Sequence, residues 1–388
     1  MQNFEAYNPT RIVFGKNQYH RIAELAAENK ATKILVVYGG GSIKKNGVYE
    51  QIMQHLHAFQ VVEFSGVGAN PEYTTLMQAV ELARKEKIDF ILAVGGGSVI
   101  DGVKFIAAAI HYSGNAWDVL MKKPGCKFGA AVPFGVVLTL PATGSEANSG
   151  AVINRSEMKE KRTMGGPNLF PQFSICNPGV VASLPQRQIA NGIVDSFMHT
   201  LEQYLTYPSG NLLQQRHAEG ILQTLIEIAP IVLQNPSNYE AAANLMWCST
   251  HALNGNLRAG VPTDWCTHMI GHELTAFYGI DHAQTLAIIA PRLFENQFEN
   301  KLEMLVQYGK RVWNLEGTAT EIAQQAIVKT ENFFQQVGIK TRISDYTTDT
   351  SFIAQEIKNR FIERGWTEMG ERKAITPNDV YEIVEKSI

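Results

Sequence analysis

The sequence predicts two domains of different class: a Rossmann-like α/β domain with a parallel sheet over residues 1–180, and an all-helical domain over residues 181–388. The first observation behind this division is length, because 388 residues exceed what one ordinary hydrophobic core supports. The second is the alternation of strand-like and helix-like segments in the first half, which is typical of a parallel sheet. The third is the change after residue 180 to long segments whose apolar residues recur every three or four positions.

Short apolar runs predict the strands of the first domain. Two of these runs end at glycine-rich turns, as expected where a buried strand reaches the edge of a sheet. Amphipathic segments fill the intervals, including one at residues 47–59, one that ends near Lys87 and one that opens after Gly95. The predicted strands lie at residues 34–38, 61–64, 89–94 and 173–176, with further apolar stretches at 130–133 and 135–140.

The second domain begins after a connector that is bracketed by Pro178 and Pro185. From there the 3.6-residue periodicity predicts an almost wholly helical fold, with a polar surface loop at residues 344–350. The clearest amphipathic segments lie at residues 214–233, 239–254, 267–278, 302–313 and 319–337.

Composition narrows the classes of function. The chain has 34 Lys and Arg against 37 Asp and Glu, and its net charge of -3 gives no electrostatic reason to expect nucleic acid or an anionic membrane as a partner. The N-terminal segment lacks the basic and apolar stretches of a signal peptide, and no apolar run is long enough to span a bilayer, so we expect a cytoplasmic location. The four cysteines form no CxxC pair, which predicts reduced thiols rather than a disulfide framework or a zinc cluster.

Glycine-rich turns follow two of the predicted strands, at residues 39–45 and 95–101. Backbone N–H groups at a helix start, with no Cβ in the way, can hold a phosphate group. Neither turn has the Gly-x-Gly-x-x-Gly fingerprint or the P-loop spacing, and a purely structural turn is the alternative. Because two such turns occur in successive β-α units, we predict a bound nucleotide. The candidate contacts are Gly39, Gly40, Ser42 and Lys45 in the first turn and Gly96, Gly97, Ser98 and Asp101 in the second.

The polar residues of the first turn indicate which nucleotide binds. No Asp or Glu is present there to hold a ribose 2′-hydroxyl, whereas Ser42, Lys44 and Lys45 could meet a 2′-phosphate. This pattern favours NADP(H) over NAD(H). The alternative is that Lys44 and Lys45 only solvate the start of a helix.

Capping-box spacing occurs at two positions. Ser98 and Asp101 match a Ser-x-x-Asp variant, and Thr143 and Glu146 repeat the spacing where another strand gives way to small residues. In such a box the first side chain accepts a hydrogen bond from the backbone at the helix start, and the acidic side chain reaches back. Both pairs therefore predict helix starts.

A candidate metal site begins in the segment 191–204. Asp195 and His199 stand four residues apart and share one face of a helix. Most of that helix is apolar, so the carboxylate and the imidazole would point into an interior that penalises unpaired polar groups. An Asp–His ion pair on a helix surface is the alternative.

Three more histidines follow in the second domain. His268 and His272 are four residues apart in one predicted helix, and His282 comes soon after. One carboxylate with two or three imidazoles suits a divalent zinc or iron ion that keeps a position open for substrate. No arrangement that would supply a protein nucleophile is present, because Ser145 lacks the Gly-x-Ser-x-Gly elbow.

Over essentially its whole length the chain resembles the iron-containing, or group III, alcohol dehydrogenases, in particular their butanol dehydrogenase and NADPH-dependent aldehyde reductase branch. The resemblance rests on motifs that are highly specific when taken together. They are Tyr38-Gly-Gly-Gly-Ser-Ile-Lys-Lys45, Ala69-Asn-Pro71, Ala93-Val-Gly-Gly-Gly-Ser98 with Asp101, Leu138-Thr-Leu-Pro-Ala-Thr-Gly-Ser-Glu146, Ala190-Asn-Gly-Ile-Val-Asp-Ser-Phe-Met-His199 with Glu202-Gln-Tyr204, and His268-Met-Ile-Gly-His-Glu-Leu274 through Asp281-His282.

The resemblance implies a dinucleotide-binding N-terminal domain, a helical metal-binding C-terminal domain and an active site in the cleft between them. It also implies that His272 lines the site near the nicotinamide without binding the metal. The implied metal ligands are Asp195, His199, His268 and His282.

The resemblance also extends to the cofactor. Many family members carry an acidic residue where this chain has Gly39, and its absence agrees with the NADP-preferring branch. The implied cofactor contacts are Asn70, Gly96, Gly97, Ser98, Thr139, Thr143 and Lys161.

The implied activity is hydride transfer between NADP(H) and short- to medium-chain aldehydes or primary alcohols, with one divalent zinc or iron ion as a Lewis acid. We expect His272 to help deliver the proton, and a core histidine held by a backbone carbonyl is the alternative. We also expect a homodimer. The physiological substrate and the native ion (zinc, iron or nickel) stay open.

Two other classes of function fit parts of the pattern. A lyase similar to dehydroquinate synthase also joins a nicotinamide cofactor to a metal, but its phosphorylated substrate needs several cations. Only Arg258 lies near the His268 cluster in sequence. The other alternative is a non-catalytic protein that binds a metal or a nucleotide, and it does not explain the polar residue His272.

Overall fold

The computed structural model describes residues 1–388, and the chain divides into two compact units. The sheet unit comprises Tyr7–Leu184 and Asn235–Asn254, and the helical unit comprises Met1–Ala6, Pro185–Gln234 and Gly255–Ile388. The chain therefore passes from the sheet unit to the helical unit at residues 184–185 and later returns to the sheet unit for one helix.

The strands all belong to the sheet unit. They are β1 (Arg11–Phe14), β2 (Lys33–Tyr38), β3 (Gln60–Phe64), β4 (Phe90–Gly95), β5 (Phe134–Leu138), β6 (Gly150–Arg155), β7 (Glu160–Gly165) and β8 (Phe173–Cys176). Six of them form a parallel sheet in the order β1-β8-β5-β4-β2-β3, and β6 and β7 pair as an antiparallel hairpin. Every residue of β4 and β5 is buried, as expected for the central strands of a parallel sheet.

The α-helices alternate with the strands and then continue without them. They are α1 (Arg21–Glu28), α2 (Ser42–Lys45), α3 (Val48–Met53), α4 (Tyr73–Glu86), α5 (Gly97–Ala109), α6 (Ala116–Leu120), α7 (Gln186–Tyr204), α8 (Leu212–Gln234), α9 (Tyr239–Leu253), α10 (Cys266–Tyr278), α11 (His282–Asn296), α12 (Phe298–Val312), α13 (Ala319–Gln336), α14 (Ile353–Glu363) and α15 (Pro377–Lys386). Helices α1–α6 and α9 lie in the sheet unit, and the others lie in the helical unit. None of them is both long enough and apolar enough to cross a lipid bilayer.

The predicted fold class is confirmed, because a parallel sheet with helical connections precedes a helical region. The strand predicted at residues 173–176 has the bounds of β8, and those predicted at 34–38, 61–64 and 89–94 match β2, β3 and β4 to within one residue at each end. The predicted apolar stretches at 130–133 and 135–140 correspond to the single strand β5.

Strand β1 and the β6–β7 hairpin do not emerge from the sequence patterns. Only Val13 of β1 is buried, so this strand has no apolar alternation. In β7 the one buried residue is Lys161, although lysine side chains are usually exposed. The apolar pattern that identifies a strand is therefore missing from both β1 and β7.

The register of the parallel sheet brings three strand ends to one edge. Tyr38 of β2 lies opposite Val94 of β4, and Gly95 lies opposite Leu138 of β5. The turn at residues 39–41, the turn at 96–98 and the segment at 139–143 follow these three strands. The carboxyl ends of strands are where open parallel sheets bind ligands, so the candidate nucleotide contacts share one edge.

The four cysteines are free thiols, as predicted. Cys176, Cys248 and Cys266 are buried, and burial raises the pKa of Cys248 to about 12. Thiols in such surroundings stay protonated and unreactive at neutral pH, which fits a structural role.

Candidate active site

Helix α7 carries a row of polar side chains, Asn191, Asp195, His199 and Glu202, that we call the polar stripe. Their spacing of four, four and three residues places them on one face of the helix. Asp195, His199 and Glu202 are buried, and apolar side chains occupy much of the rest of α7. Burying polar groups costs free energy unless each finds a partner, so the polar stripe constrains what packs against α7.

One carboxylate and three imidazoles meet at the middle of the polar stripe. Asp195 and His199 of α7, His268 of α10 and His282 of α11 offer ligand atoms that all lie within 4.8 Å of one another. Oδ1 of Asp195 is 3.5 Å from Nδ1 of His199 and 3.7 Å from Nε2 of His282. All three helices belong to the helical unit, so one unit supplies the complete set.

This donor set fits a divalent ion such as zinc or iron. Four ligands at about 2.1 Å from one ion are separated by about 3.4 Å in a tetrahedron, which is close to both distances from Asp195. Oδ1 of Asp195 is buried and accepts no hydrogen bond, so a cation would satisfy it. Imidazole and carboxylate also match the ligand preferences of both metals. We call these four residues the candidate metal centre.

Glu202, at the C-terminal end of the polar stripe, binds the start of α10 and the imidazole of His268. Its Oε1 atom accepts a hydrogen bond from the N–H of Thr267 at 2.8 Å, and its Oε2 atom accepts one from Nδ1 of His268. The sequence patterns described above do not single out Glu202, although its spacing in α7 is a signal. Glu202 lies three residues after His199 and therefore on the same helix face.

Asn191, at the other end of the polar stripe, binds the residue that precedes His282. Its side-chain amide donates a hydrogen bond to Oδ2 of Asp281 at 2.8 Å, and Arg187 lies 3.2 Å from the same oxygen. His282 is the first residue of α11, directly after Asp281. These contacts tie the start of α11 to α7 and hold His282 beside Asp195.

Two partly exposed rings border the candidate metal centre. The ring of His272, which is not among the four ligands, has its centroid 5.1 Å from that of His282 and 6.3 Å from that of His268. Trp265, which the sequence patterns do not single out, packs edge-on against His268 with centroids 5.3 Å apart. A molecule bound at the centre would therefore meet His272 and Trp265.

In the sheet unit, the glycine turn before α5 packs closely against the segment after β5. A Cβ on Gly97 would lie 2.5 Å from side-chain atoms of Thr143, and one on Gly96 would lie 2.9 Å from Cβ of Leu140. Packing alone therefore requires glycine here. The N–H groups of Gly97 and Ser98 open a helix of 13 residues, where such groups have no intrahelical partner and suit an anionic ligand.

Asn70 and Lys161 are distant in sequence but adjacent in the structure. Nζ of Lys161 donates a hydrogen bond to Oδ1 of Asn70 at 3.0 Å, and Asn70 adopts the left-handed backbone conformation with φ of 56°. Thr139 follows β5 directly, and its N–H donates to the carbonyl of Gly95 at 3.0 Å. These three candidate cofactor contacts therefore lie within the sheet unit.

Both predicted capping boxes are wrong. Helix α5 begins before Ser98, its N-cap is Gly96, and no side chain caps it. A short 3-10 helix begins at Ser145, also without a side-chain cap, and Oγ1 of Thr143 instead accepts the Ser145 N–H at 3.1 Å. The carboxylate of Glu146 accepts a hydrogen bond from a threonine of α9 at 2.6 Å. Spacing alone misleads here because the acidic side chains have partners elsewhere.

A buried charge network explains where Asp101 points. Its carboxylate accepts hydrogen bonds from the Ser145 hydroxyl at 2.6 Å and from the Val152 N–H at 2.8 Å. Lys104 donates to the same hydroxyl at 2.7 Å, and burial lowers the pKa of Lys104 to about 8. Asp101 thereby holds the segment after β5 against α5.

An acidic residue does lie beside the first glycine turn, on β3. Glu63 accepts hydrogen bonds from two tyrosine hydroxyls at 2.8 and 2.7 Å, and its carboxylate lies 3.7 Å from Nζ of Lys44. Although burial opposes them, these partners hold the pKa of Glu63 below its usual value. Lys44 is thus paired within the protein, and the exposed Ser42 and Lys45 are the remaining polar side chains of the turn.

Comparison with known proteins finds the same family in both halves of the chain. The profile described as iron-containing alcohol dehydrogenase matches residues 9–178. The profile described as Fe-containing alcohol dehydrogenase family, C-terminal, matches residues 189–388. The two matches leave out only the connector and the first residues.

Individual relatives match along the full length. The chain is 49% identical over 379 residues to the NADPH-dependent aldehyde reductase YqhD of Escherichia coli, with 97% of each chain covered. It is 39% identical to the probable NADH-dependent butanol dehydrogenase 1 of Bacillus subtilis, with 100% of each chain covered. The crystal structure of Escherichia coli YqhD superposes with a TM-score of 0.96 at 47% identity, over 100% of this chain and 99% of that one.

We expect His199→Ala and His282→Ala each to weaken metal binding by more than the roughly 10–100-fold that is typical of losing a group behind a ligand, because each removes one of four ligands. The measurement is metal content per chain after reconstitution and dialysis. The exposed His217 of α8 offers a matched control, and His217→Ala should keep the wild-type content. Wild-type metal content in both ligand variants would show that the assignment is wrong.

Proposed function

Because the chain belongs to the iron-containing alcohol dehydrogenase family, we propose that it reduces short- to medium-chain aldehydes with NADPH and catalyses the reverse oxidation of primary alcohols. Two relatives support the substrate class, one an NADPH-dependent aldehyde reductase and the other a probable NADH-dependent butanol dehydrogenase. In the proposed reaction, the candidate metal centre binds the substrate and the glycine turns bind the cofactor.

The observation that carries the proposal is the candidate metal centre. A structural Asp–His ion pair would need one imidazole, whereas here three imidazoles from three helices surround the carboxylate of Asp195. The residues that border the centre, His272 and Trp265, are partly exposed rather than sealed in a core. A buried carboxylate with an open side suits a metal that receives a small substrate.

When bound, the ion would supply Lewis acidity towards the carbonyl oxygen of the aldehyde while NADPH provides the hydride. The chain contributes preorganisation. Asp195 and His199 lie in the buried part of a 19-residue helix, so their positions vary little. Glu202 binds the imidazole of His268, and the hydrogen bond from Asn191 to Asp281 fixes the start of α11, where His282 lies.

His272 is the side chain to which we assign proton movement. It lies outside the four-residue ligand set, its ring neighbours that of His282, and it is partly exposed. An imidazole in such a place can donate a proton to the product oxygen and recover one from solvent.

We propose NADP(H) as the preferred cofactor because no carboxylate at the first glycine turn is free to repel a 2′-phosphate. Glu63 is occupied by two tyrosines and Lys44, while Ser42 and Lys45 are exposed. A Cβ on Gly40 would meet no atom within 4 Å, so the backbone is open to a ligand there. The other proposed contacts are Asn70, Gly96, Gly97, Ser98, Thr139, Thr143 and Lys161, with Asp101 supporting them.

A homodimer and a cytoplasmic location stay predictions from the sequence, and the identity of the ion stays open. Zinc, iron and nickel all accept three imidazoles and a carboxylate, and intrinsic affinity favours zinc over ferrous iron. The assay of the proposed function therefore includes reconstitution with more than one metal.

The proposed function is tested by the oxidation of NADPH and of NADH in the presence of butanal, with metal-free protein and with protein reconstituted with zinc or iron. We expect aldehyde-dependent oxidation only in the reconstituted protein, and faster with NADPH. Absence of aldehyde-dependent oxidation with every metal would contradict the proposed reaction. Full activity in metal-free protein would show that the candidate metal centre is not needed for the reaction.

Gly39→Asp should shift the cofactor preference towards NADH. A carboxylate that faces a 2′-phosphate repels it by roughly 1–4 kcal/mol, which lowers the kcat/KM ratio of NADPH to NADH about fivefold or more. A Cβ at this position would lie 3.1 Å from the carbonyl of Val67, so any side chain displaces the backbone slightly. Gly39→Asn is therefore the matched control, since it adds the same bulk without charge. Equal kcat/KM ratios of NADPH to NADH in Gly39→Asp and Gly39→Asn would show that this turn does not face the 2′-phosphate.

His272→Ala should keep its metal and its NADPH affinity while kcat falls by roughly 10²–10⁴, the range expected for a lost general acid or base. The measurements are metal content, the NADPH dissociation constant, kcat and the solvent isotope effect on kcat. His217→Ala again serves as the control. Loss of metal, or an unchanged kcat, would rule out a role in proton movement.

A further inference from the structure

Glu202 is a buried carboxylate whose two oxygens bind two different groups of α10. Only 2% of this residue is exposed. Oε1 accepts the backbone N–H of Thr267, and Oε2 accepts Nδ1 of His268. The orientation of the carboxylate is therefore determined by a helix start and by a metal ligand together.

We propose that Glu202 is a positioning residue that keeps the proton of His268 on Nδ1 and so directs Nε2 to the metal ion. This inference rests on the candidate metal centre of the proposed function. A neutral imidazole has one donor nitrogen and one acceptor nitrogen. Burial and the nearby carboxylate of Asp264 raise the pKa of Glu202, whereas the hydrogen bond from the Thr267 N–H favours the charged form. As a carboxylate, Glu202 can only accept a hydrogen bond from Nδ1, and Nε2 then keeps the lone pair that a metal ligand needs.

The surroundings hold Glu202 in register with α10. The N–H of Asp264 donates to the backbone carbonyl of Glu202 at 3.0 Å. The buried Lys301 lies 2.9 Å from the carboxylate of Asp264 and donates to the carbonyl of Leu205 at 2.8 Å. One buried cation thus joins the C-terminal end of α7 to the segment that leads into α10, and Glu202 cannot move without breaking these contacts.

Glutamine at this position would separate the hypothesis from simple packing. Its side chain has nearly the shape of glutamate but offers one acceptor oxygen and one NH2 donor. Both groups that face Glu202, the Thr267 N–H and Nδ1–H of His268, are donors. The NH2 group of glutamine would therefore face one of these two donors. If it faces the Thr267 N–H, the start of α10 loses its hydrogen bond. If it faces Nδ1 of His268, the proton of His268 moves to Nε2.

The experiment measures the zinc affinity of metal-free wild type, Glu202→Gln and Glu202→Asp by chelator competition. We expect zinc binding to be about 10–100-fold weaker in Glu202→Gln, and less affected in Glu202→Asp because the charge is kept. The matched control is Glu219→Gln, which replaces another buried carboxylate of the helical unit that binds Tyr204 and Arg311. That variant should bind zinc like wild type.

Equal zinc affinity in wild type and Glu202→Gln would overturn the inference and leave the proposed function intact, whereas a wild type that binds neither zinc nor iron would overturn both. An equal loss in Glu219→Gln would assign the effect to packing and would also overturn the inference. If Glu202→Gln fails to fold, nitrogen-15 spectra of the histidines in zinc-loaded wild type decide. A proton on Nδ1 of His268 with zinc on Nε2 supports the inference, and zinc on Nδ1 overturns it.

Discussion

Polar side chains on the buried face of α7 must each find a partner, and α10 and α11 meet that need. Burying an ionised carboxylate in a protein interior costs roughly several kcal/mol, even after relaxation, unless charges or hydrogen bonds compensate it. The first turn of α10 supplies Thr267 and His268 to Glu202, and the first residue of α11 is His282, beside Asp195. Helix starts carry partial positive charge, so both helices present their favourable ends to carboxylates of α7.

Helix α10 is also held from the side that faces away from Glu202. The buried carboxylate of Glu273 pairs with Arg360 of α14 at 3.0 Å and with Arg364, which directly follows α14. Breaking a buried ion pair by removing one partner typically costs about 3–5 kcal/mol, so such pairs define position strictly. His268 and His272 therefore stand on a helix that buried charges anchor on two sides, which suits a site whose geometry must not vary.

The sequence predicts most strands of the parallel sheet, the helical half, and the shared helix face of Asp195 and His199, because each has a local period. Asp195 and His199 share a face at helical spacing, so this part of α7 can be predicted from the sequence alone. The bond from Glu202 to His268 joins residues 66 apart, and no local pattern encodes it. The same limit hides Glu63, which reaches the first glycine turn from a neighbouring strand. The capping boxes fail for the converse reason, since a tertiary partner of Asp101 overrides a local motif.

One metal ion held jointly by α7, α10 and α11 is the central feature of the proposed active site. The most direct measurement is anomalous diffraction at the zinc edge from crystals of zinc-loaded protein. We predict one anomalous peak per chain, about 2.0–2.2 Å from an oxygen of Asp195 and from one ring nitrogen of each of His199, His268 and His282. No peak among these four side chains, or a peak held by other residues, would contradict the account.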